Sequence, residues 1–318
     1  IGRVVEKNGK RLPEKDDQFT ITSQIQSKEG WVKHPLDELL RQQQNQSSTK
    51  TRNMDSSTPN NQNGHHKLRT IPIRLLFNDP DLNLRAEYSM FDRQTGRAIC
   101  VGNGENCKRF AKDGYEQMPC PSPDLCPLGK NGNCKPYGRL NVCITPEYTA
   151  RNASDSNTSS QHQEDELGTF IFRTTGFNSI RTLAARLNYY QAVSGNLLSC
   201  LPLQLKLRGK STTQSYRSAI YYVDLTVRDG LSLNEAIQQA RLLNQQRIDA
   251  GFEQMALDQA ARTGLENGLF ELSDDEVGEV VEEFYAESPQ QQDQKKVNDL
   301  TQWKDIQKGL QESVQTLN

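Results

Sequence analysis

Apolar residues recur along this chain with two spacings, and the spacing distinguishes strands from helices. Over residues 18–26 apolar and polar positions alternate, which is the period of a half-buried strand. Residues 71–77 form a strongly apolar run, which also predicts a strand. Over residues 180–190 the apolar positions recur every three or four residues, which is the period of a helix. The chain therefore combines strands and helices.

These patterns predict an α+β fold with a mainly antiparallel sheet. Ile71–Phe77 is expected to pair with Arg85–Asp92, and Trp31–Leu40 to form a short helix. A helix at Ser179–Tyr190 should pack on one face of the sheet, and Ser232-x-x-Glu235 should open another as a capping box. The strand segments contain Phe19, Ile71, Arg85, Leu140, Thr169, Leu201 and Ile220.

Composition limits how much of the chain can fold compactly. Only 34% of the 318 residues are hydrophobic, and the mean hydropathy of −0.79 is too polar for one core. The predicted organisation is an N-terminal strand region (1–41), a disordered Gln/Asn/Ser insertion (42–66), strands with a four-cysteine zinc insertion (67–144), a flexible linker (145–166), a strand–helix–hairpin core with further helices (167–270), an acidic arm (271–295) and an amphipathic helix (296–318).

Four cysteines follow one another with the spacing Cys107-x12-Cys120-x5-Cys126-x7-Cys134. Four thiolates make the tetrahedral ligand set of a structural Zn²⁺ site. The segment is rich in Pro and poor in apolar residues, so metal binding would supply much of its folding free energy. We predict a structural zinc site at these four cysteines, with Cys100 as the alternative for one ligand. A disulfide pair, or thiols that cluster only in sequence, are the other interpretations.

The cysteine number and the apolar runs bear on the compartment. Seven cysteines are an odd number, which favours a reducing environment over a complete set of disulfides. No apolar run is long enough to cross a membrane and no signal peptide is visible. We expect a cytoplasmic protein that does not associate with membranes.

The residue types that carry catalysis form no known pattern here. Three of the four histidines, His65, His66 and His162, lie in polar low-complexity stretches. No HExxH, GxSxG or phosphate-loop pattern occurs, and four thiolates would close a zinc site to substrate. We therefore expect a protein that binds partners rather than an enzyme.

Basic residues cluster in the second half of the chain, with Asp224 as the only acid near them. Such a cluster is typical of a surface that contacts nucleic acid or an acidic partner. The candidate contact residues are Arg173, Arg181, Arg186, Lys206, Arg208, Lys210 and Arg217.

The last segment carries an apolar stripe at helical spacing. A single helix of this length is marginal in water, so the stripe needs a surface to cover it. That surface belongs either to another chain, including a second copy, or to its own domain. The predicted partner-helix residues are Leu300, Trp303, Ile306, Leu310, Val314 and Leu317.

Three strings of residues, in this order, resemble one family. They are Cys134-Lys135-Pro136-x-x-Arg139-Leu140-x-Val142, Phe170-Ile171-Phe172-Arg173-Thr174-Thr175-Gly176-Phe177-Asn178-Ser179-Ile180 and Gly195-x-Leu197-x4-Pro202-Leu203-x-Leu205. The region from Phe19 to Val227 is similar to phage recombination directionality factors, which are accessory proteins of serine integrases. It also resembles mobile-element proteins described as hydrolase or metal-binding.

The resemblance implies an accessory protein without catalytic activity. Such a protein would bind a site-specific recombinase, a serine integrase, on DNA and bias recombination towards excision. It would act mainly by protein contacts, reaching DNA directly or through the recombinase. The alternative hypothesis is a zinc-containing DNA- or single-strand-binding protein of phage or plasmid recombination or replication.

Overall fold

The computed structural model describes residues 3–7, 10–14, 17–27, 30–51, 67–92, 94–111, 114–129, 132–146, 169–211 and 219–267. The chain divides into two compact units. Of the described residues, the first unit contains those in the ranges 17–85 and 138–267, and the second contains those in the ranges 3–14 and 86–137. Two strands, Leu84–Phe91 and Lys135–Ile144, carry the chain from one unit to the other.

The described elements are thirteen strands and five α-helices. The strands are β1 (Arg3–Lys7), β2 (Lys10–Glu14), β3 (Thr22–Ser27), β4 (Gly30–Lys33), β5 (Thr70–Arg74), β6 (Leu84–Phe91), β7 (Ala98–Gly102), β8 (Asn106–Ala111), β9 (Gly114–Pro119), β10 (Lys135–Ile144), β11 (Phe170–Thr174), β12 (Leu203–Ser211) and β13 (Ala219–Val227). The helices are α1 (Pro35–Thr51), α2 (Pro80–Asn83), α3 (Phe177–Ser194), α4 (Leu233–Asp249) and α5 (Gln254–Asn267).

The first unit is built on antiparallel strands in the order β13, β12, β5, β10, with β11 also paired to β10. The longest pairing runs from Leu203↔Val227 to Ser211↔Ala219. This confirms the α+β class and the antiparallel sheet. It also confirms the predicted hairpin that follows Leu201.

Alternation along β12 explains how this sheet meets its core. Leu203, Leu205 and Leu207 are buried at every second position, as the pleat of a strand requires. They pack in one cluster with Leu183 and Leu187 of α3, which are spaced one helical turn apart. The predicted helix therefore lies on the sheet as expected.

Helix ends follow local chemistry. Gly195 ends α3 in the left-handed conformation, at φ 70°. Ser232 and Glu235 form the predicted capping box at the start of α4.

The partner of β5 differs from the prediction. β5 pairs with β10 and β12, not with β6. The link after β5 is not a tight hairpin turn, because Pro80–Asn83 forms α2, whose first turn is capped by the Asp79 carboxylate accepting from the N–H of Asp81. The predicted pairing of Ile71–Phe77 with Arg85–Asp92 is therefore wrong.

Two further differences lie before β5. Phe19 precedes β3 and packs in the core, and its N–H donates to the carbonyl of Leu68. Among the described strands, β3 pairs with β4 and with no other. The Phe19 segment is therefore not part of the larger sheet. Trp31 lies in β4, and the helix begins at Pro35 and runs to Thr51. The helix predicted at Trp31–Leu40 therefore begins four residues later and ends later than expected. The polar stretch up to Thr51 can be helical because Gln is a good helix former.

The second unit contains an antiparallel run of strands. β6 pairs with β7, β7 with β8 and β8 with β9. The loop of residues 120–134 follows β9 and returns the chain to β10. β1 and β2 form a separate hairpin.

Several predicted segments lie outside the described residues: 52–66, most of the 145–166 linker, Arg217, the acidic arm and the C-terminal helix. Among the described residues, no helix is long and apolar enough to cross a membrane.

Candidate functional site

A cluster of five thiols lies in the second unit. Cys100 on β7 and Cys107 on β8 are buried together with Met90, and Cys120 and Cys134 pack against them. The register between β7 and β8 explains why Cys100 and Cys107 lie close together. Cys100 lies opposite Arg109 and Gly102 lies opposite Cys107, so the two cysteines lie diagonally on the same face of neighbouring strands.

The loop of residues 120–134 supplies the other three cysteines. Cys120 is tied to the start of β8 by its N–H, which donates to the carbonyl of Glu105 at 2.7 Å. Successive turns follow, with the N–H of Cys126 donating to Ser122 and the N–H of Gly129 donating to Cys126. This loop therefore has its own hydrogen-bonded order.

One cation lies among the thiols. The Nη2 nitrogen of Arg109 lies 3.7 Å from the Sγ of Cys126. Arg109 also lies directly opposite Cys100 in the pairing of β7 with β8. The Nε atom of Arg109 is buried and has no hydrogen-bond partner in the described part of the chain. A buried donor without a partner is costly, so this atom suggests that the cluster is arranged for a negative charge.

Burial also affects the thiols. Burial is the main cause that raises the pKa of Cys107 to about 12, with Cys100 contributing. Burial likewise raises the pKa of Cys134 to about 12, with Cys100, Cys126 and Cys120 contributing.

The four predicted zinc ligands therefore lie in one neighbourhood, and Cys100 joins them. All seven cysteines are free thiols. Within the described residues, no group of three or more His, Cys, Asp or Glu side chains has metal-binding geometry. The zinc site stays a prediction. Cys143 and Cys200, which are buried at 5% exposure, lie apart in the first unit.

The first unit presents a second candidate site, which we call the basic face. It comprises Arg181 and Arg186 on α3 and Lys206, Arg208 and Lys210 on β12. The β12 cations occupy the positions that alternate with the buried leucines, so they lie on the opposite side of that strand. Sequence reasoning identified all five.

A buried carboxylate organises the centre of this face. Asp224 on β13 accepts from the Nε of Arg186 at 3.1 Å and from the Nε of Arg208 at 2.6 Å. The carboxylate side chain is 3% exposed, whereas both arginines are 44% exposed. Asp224 therefore holds two guanidinium groups beside each other at the surface.

The remaining cations differ in how firmly they are held. Lys206 pairs with Asp229 at 2.9 Å; burial opposes ionisation of that carboxyl, but hydrogen bonds from Lys206 and Gln204 lower its pKa. Lys210 donates to the Oδ1 of Asn178 at 2.9 Å, and its ammonium lies 5.7 Å from the centroid of the Tyr222 ring.

Arg181 is exposed and makes no hydrogen bond or ion pair within the described residues. It follows Asn178 by three positions on α3, so it lies on the same side of the helix as the residue that Lys210 contacts. Arg173 lies on β11, opposite Arg139 of β10, and is not placed in the basic face. The structure does not describe Arg217.

The chain belongs to the Gp3-like family, which is described as recombination directionality factor-like: residues 1–228 match it, more than two thirds of the chain. This confirms the resemblance seen in the sequence. The match includes the thiol cluster and the basic face, and ends before α4. No curated protein and no solved structure matches the chain.

Proposed function

We propose that this chain is a non-enzymatic accessory factor of phage or mobile-element DNA recombination. It biases a site-specific recombinase, a serine integrase, by protein contacts made on the recombinase–DNA complex. The family match over residues 1–228 is the observation that carries this proposal.

The basic face supports a contact with protein. Its five cations lie beside two carboxylates, and three of the cations already have an ion-pair partner. Mixed charge with satisfied hydrogen bonds is common at the polar parts of protein interfaces, whereas surfaces that bind the DNA backbone are more strongly positive. Arg181 and Lys210 have no carboxylate partner among the described residues, so they are the cations best placed for a partner's acidic side chains.

Reversing both of these charges is expected to weaken the complex without unfolding the protein. The double variant Arg181→Glu, Lys210→Glu should lower affinity for the serine integrase encoded nearest its gene by roughly tenfold or more, because like charges would face each other. The measurements are co-purification and the ratio of excision to integration in a purified reaction. Arg241→Glu, which reverses an exposed charge on α4, is the control and should leave both unchanged.

Two results would contradict this proposal. One is a purified integrase whose direction of recombination is unaffected by the wild-type protein. The other is tight DNA binding by the protein alone that falls steeply with salt, which would favour the DNA-binding alternative.

The predicted partner helix gives a second test of the accessory role. A chain that ends at Glu287 lacks the apolar stripe from Leu300 to Leu317. We expect its melting temperature to stay within a few degrees of the full chain, while self-association or integrase binding weakens. Analytical ultracentrifugation and co-purification measure the two effects. A large fall in melting temperature would instead place the helix in the folded core.

A further inference from the structure

We propose that a cleft in the first unit binds a phosphate group, either free phosphate or the phosphate of a small monoester. The cleft has a volume of about 290 Å³ and shares no residue with the thiol cluster or the basic face. The inference goes beyond the proposed role in recombination and does not rest on it. The polar residues that line the cleft are Arg74, Thr145, Arg228 and Gln239.

Strand register brings the two arginines together. Leu203 of β12 lies opposite Ile73 of β5 and opposite Val227 of β13. Arg74 and Arg228 directly follow these two partners, so they lie on the same side of the sheet, next to the start of β12. The Nη2 of Arg228 also reaches towards β5, to 3.5 Å from the carbonyl oxygen of Ile73. Two positive charges are therefore close to each other at this end of β12.

The cleft has donor groups that the protein does not use. Arg74 is half-buried, and its guanidinium makes no hydrogen bond or ion pair within the described residues. Thr145 accepts from the Nη2 of Arg228, which leaves its own hydroxyl proton to donate. Gln239 on α4 is exposed, and its amide has no partner in the described part of the chain. A phosphomonoester has three strong acceptor oxygens and a carboxylate has two, so this donor set fits phosphate better.

Arg228 is held in place by its backbone, while its side chain makes long contacts. Its N–H donates to the carbonyl of Pro202 at 3.1 Å. Its Nε lies 3.4 Å from the carbonyl oxygen of Leu203, which is long for a hydrogen bond of this type. The guanidinium can therefore turn towards an anion at little cost, and the residue keeps its position.

The charge around the cleft is positive. No acidic residue is among its lining residues in the described part of the chain. Arg247 of α4 adds a third cation, because its Nη1 lies 3.6 Å from the Sγ of Cys200, which also lines the cleft. Nearby acids are engaged elsewhere, Asp229 with Lys206 and Glu235 in the capping box of α4. Neighbouring guanidinium groups without a carboxylate favour an anion, and their planar fork matches the oxygens of phosphate.

One wall of the cleft is apolar. Leu201 and Pro202, before β12, and Leu243 of α4 form it. An apolar wall lowers the local dielectric and so strengthens the attraction between an arginine and an anion. No aromatic ring lines the cleft among the described residues, so a nucleic-acid base has nothing to stack on there. The volume is at the small end for ligand pockets, which favours a small phosphate compound.

Calorimetric titration of the full chain at constant ionic strength tests this assignment. The probes are inorganic phosphate, adenosine monophosphate and acetate. We expect the wild type to bind both phosphate probes, and not acetate, in the millimolar range. Arg74→Gln should bind them roughly tenfold or more weakly, because a hydrogen bond between charged groups is lost. Arg241→Gln is the matched control and should bind as the wild type does, since this exposed arginine lies two positions after Gln239 and faces away from it.

A second variant keeps the test valid if Arg74→Gln does not fold. Gln239→Leu changes an exposed side chain, and we expect it to bind both phosphate probes about twofold to tenfold more weakly. Tighter binding of adenosine monophosphate than of phosphate would support a monoester as the ligand. Equal or weaker binding would support free phosphate.

Three results would overturn the proposal. The first is wild-type protein that binds neither phosphate probe, or binds acetate equally well. The second is unchanged affinity for the phosphate probes in both Arg74→Gln and Gln239→Leu. The third is binding to a short DNA duplex that depends on Arg74 without binding of the small probes, which would make the cleft a nucleic-acid contact.

Discussion

Replacing Gly129 with alanine is expected to disrupt the loop of residues 120–134. A Cβ at this position would lie 2.4 Å from the carbonyl oxygen of Pro123, and 2.9 Å and 3.0 Å from its Cα and carbonyl carbon. These are backbone atoms, which cannot turn away as a side-chain end can. Gly129 is also tied to Cys126 by a backbone hydrogen bond, so the strain reaches the thiol cluster. We expect a cost of roughly 3 kcal/mol, at the upper end for overpacked sites.

Thermal denaturation and hydrogen exchange of the loop measure this effect. The variant should lose amide protection over residues 120–129 and 132–134. Gly264→Ala on α5 is the control, because a Cβ there meets nothing within 4 Å and alanine is favoured over glycine in a helix by about 0.5–1 kcal/mol. An unchanged loop in Gly129→Ala would show that the chain can rearrange around the added methyl group.

The local parts of the fold could be predicted from the sequence. Helix α3 and the β12–β13 hairpin depend on periodicity and on the residues that end each element, and both are where the pattern placed them. The partner of β5 depends instead on strands far away in the chain, and periodicity does not encode which strands become neighbours. A tight link between β5 and β6 was the simplest prediction, and α2 replaces it.

In the candidate sites, too, local sequence predicts some features, while others depend on which distant segments come together. The spacing of cysteines identified the thiol cluster, but the place of Cys100 depends on the register between β7 and β8. Arg109 carried no signal in the sequence, because a single arginine on a strand is ordinary. Its position opposite Cys100 and its contact with Cys126 arise only when strand and loop meet.

Asp224 links the stability of the first unit to its surface. In the sequence it is only the single acid near the basic residues, and nothing there indicates that it is buried. In the structure it is a nearly buried carboxylate on which two exposed arginines depend for their position. Substitutions of Arg186 or Arg208 therefore change folding and surface charge together, and a loss of partner binding in them would be ambiguous. Arg181 and Lys210 are better probes of contact for this reason.

The double variant Arg186→Met, Arg208→Met is expected to destabilise the protein by about 3 kcal/mol or more, because it leaves a buried carboxylate without either cation. Each single variant keeps one charged hydrogen bond to Asp224 and should cost less, about 1.5–3 kcal/mol. Urea unfolding of the three proteins at neutral pH measures the differences. Methionine preserves much of the length of the side chain, so the loss is mainly of charge and hydrogen bonds.

The exposed ion pair between Lys206 and Asp229 provides the control for the buried carboxylate of Asp224. Lys206 and Asp229 are 34% and 67% exposed, and a pair of this kind contributes about 0–1 kcal/mol. Lys206→Met should therefore change the free energy of unfolding little. Adding Asp224→Leu to the double variant should recover much of the lost stability, since it removes the charge that was left unpaired. If the double variant were as stable as Lys206→Met, the Asp224 carboxylate would have to be hydrated or neutralised by other means, and its role in holding the basic face would be lost.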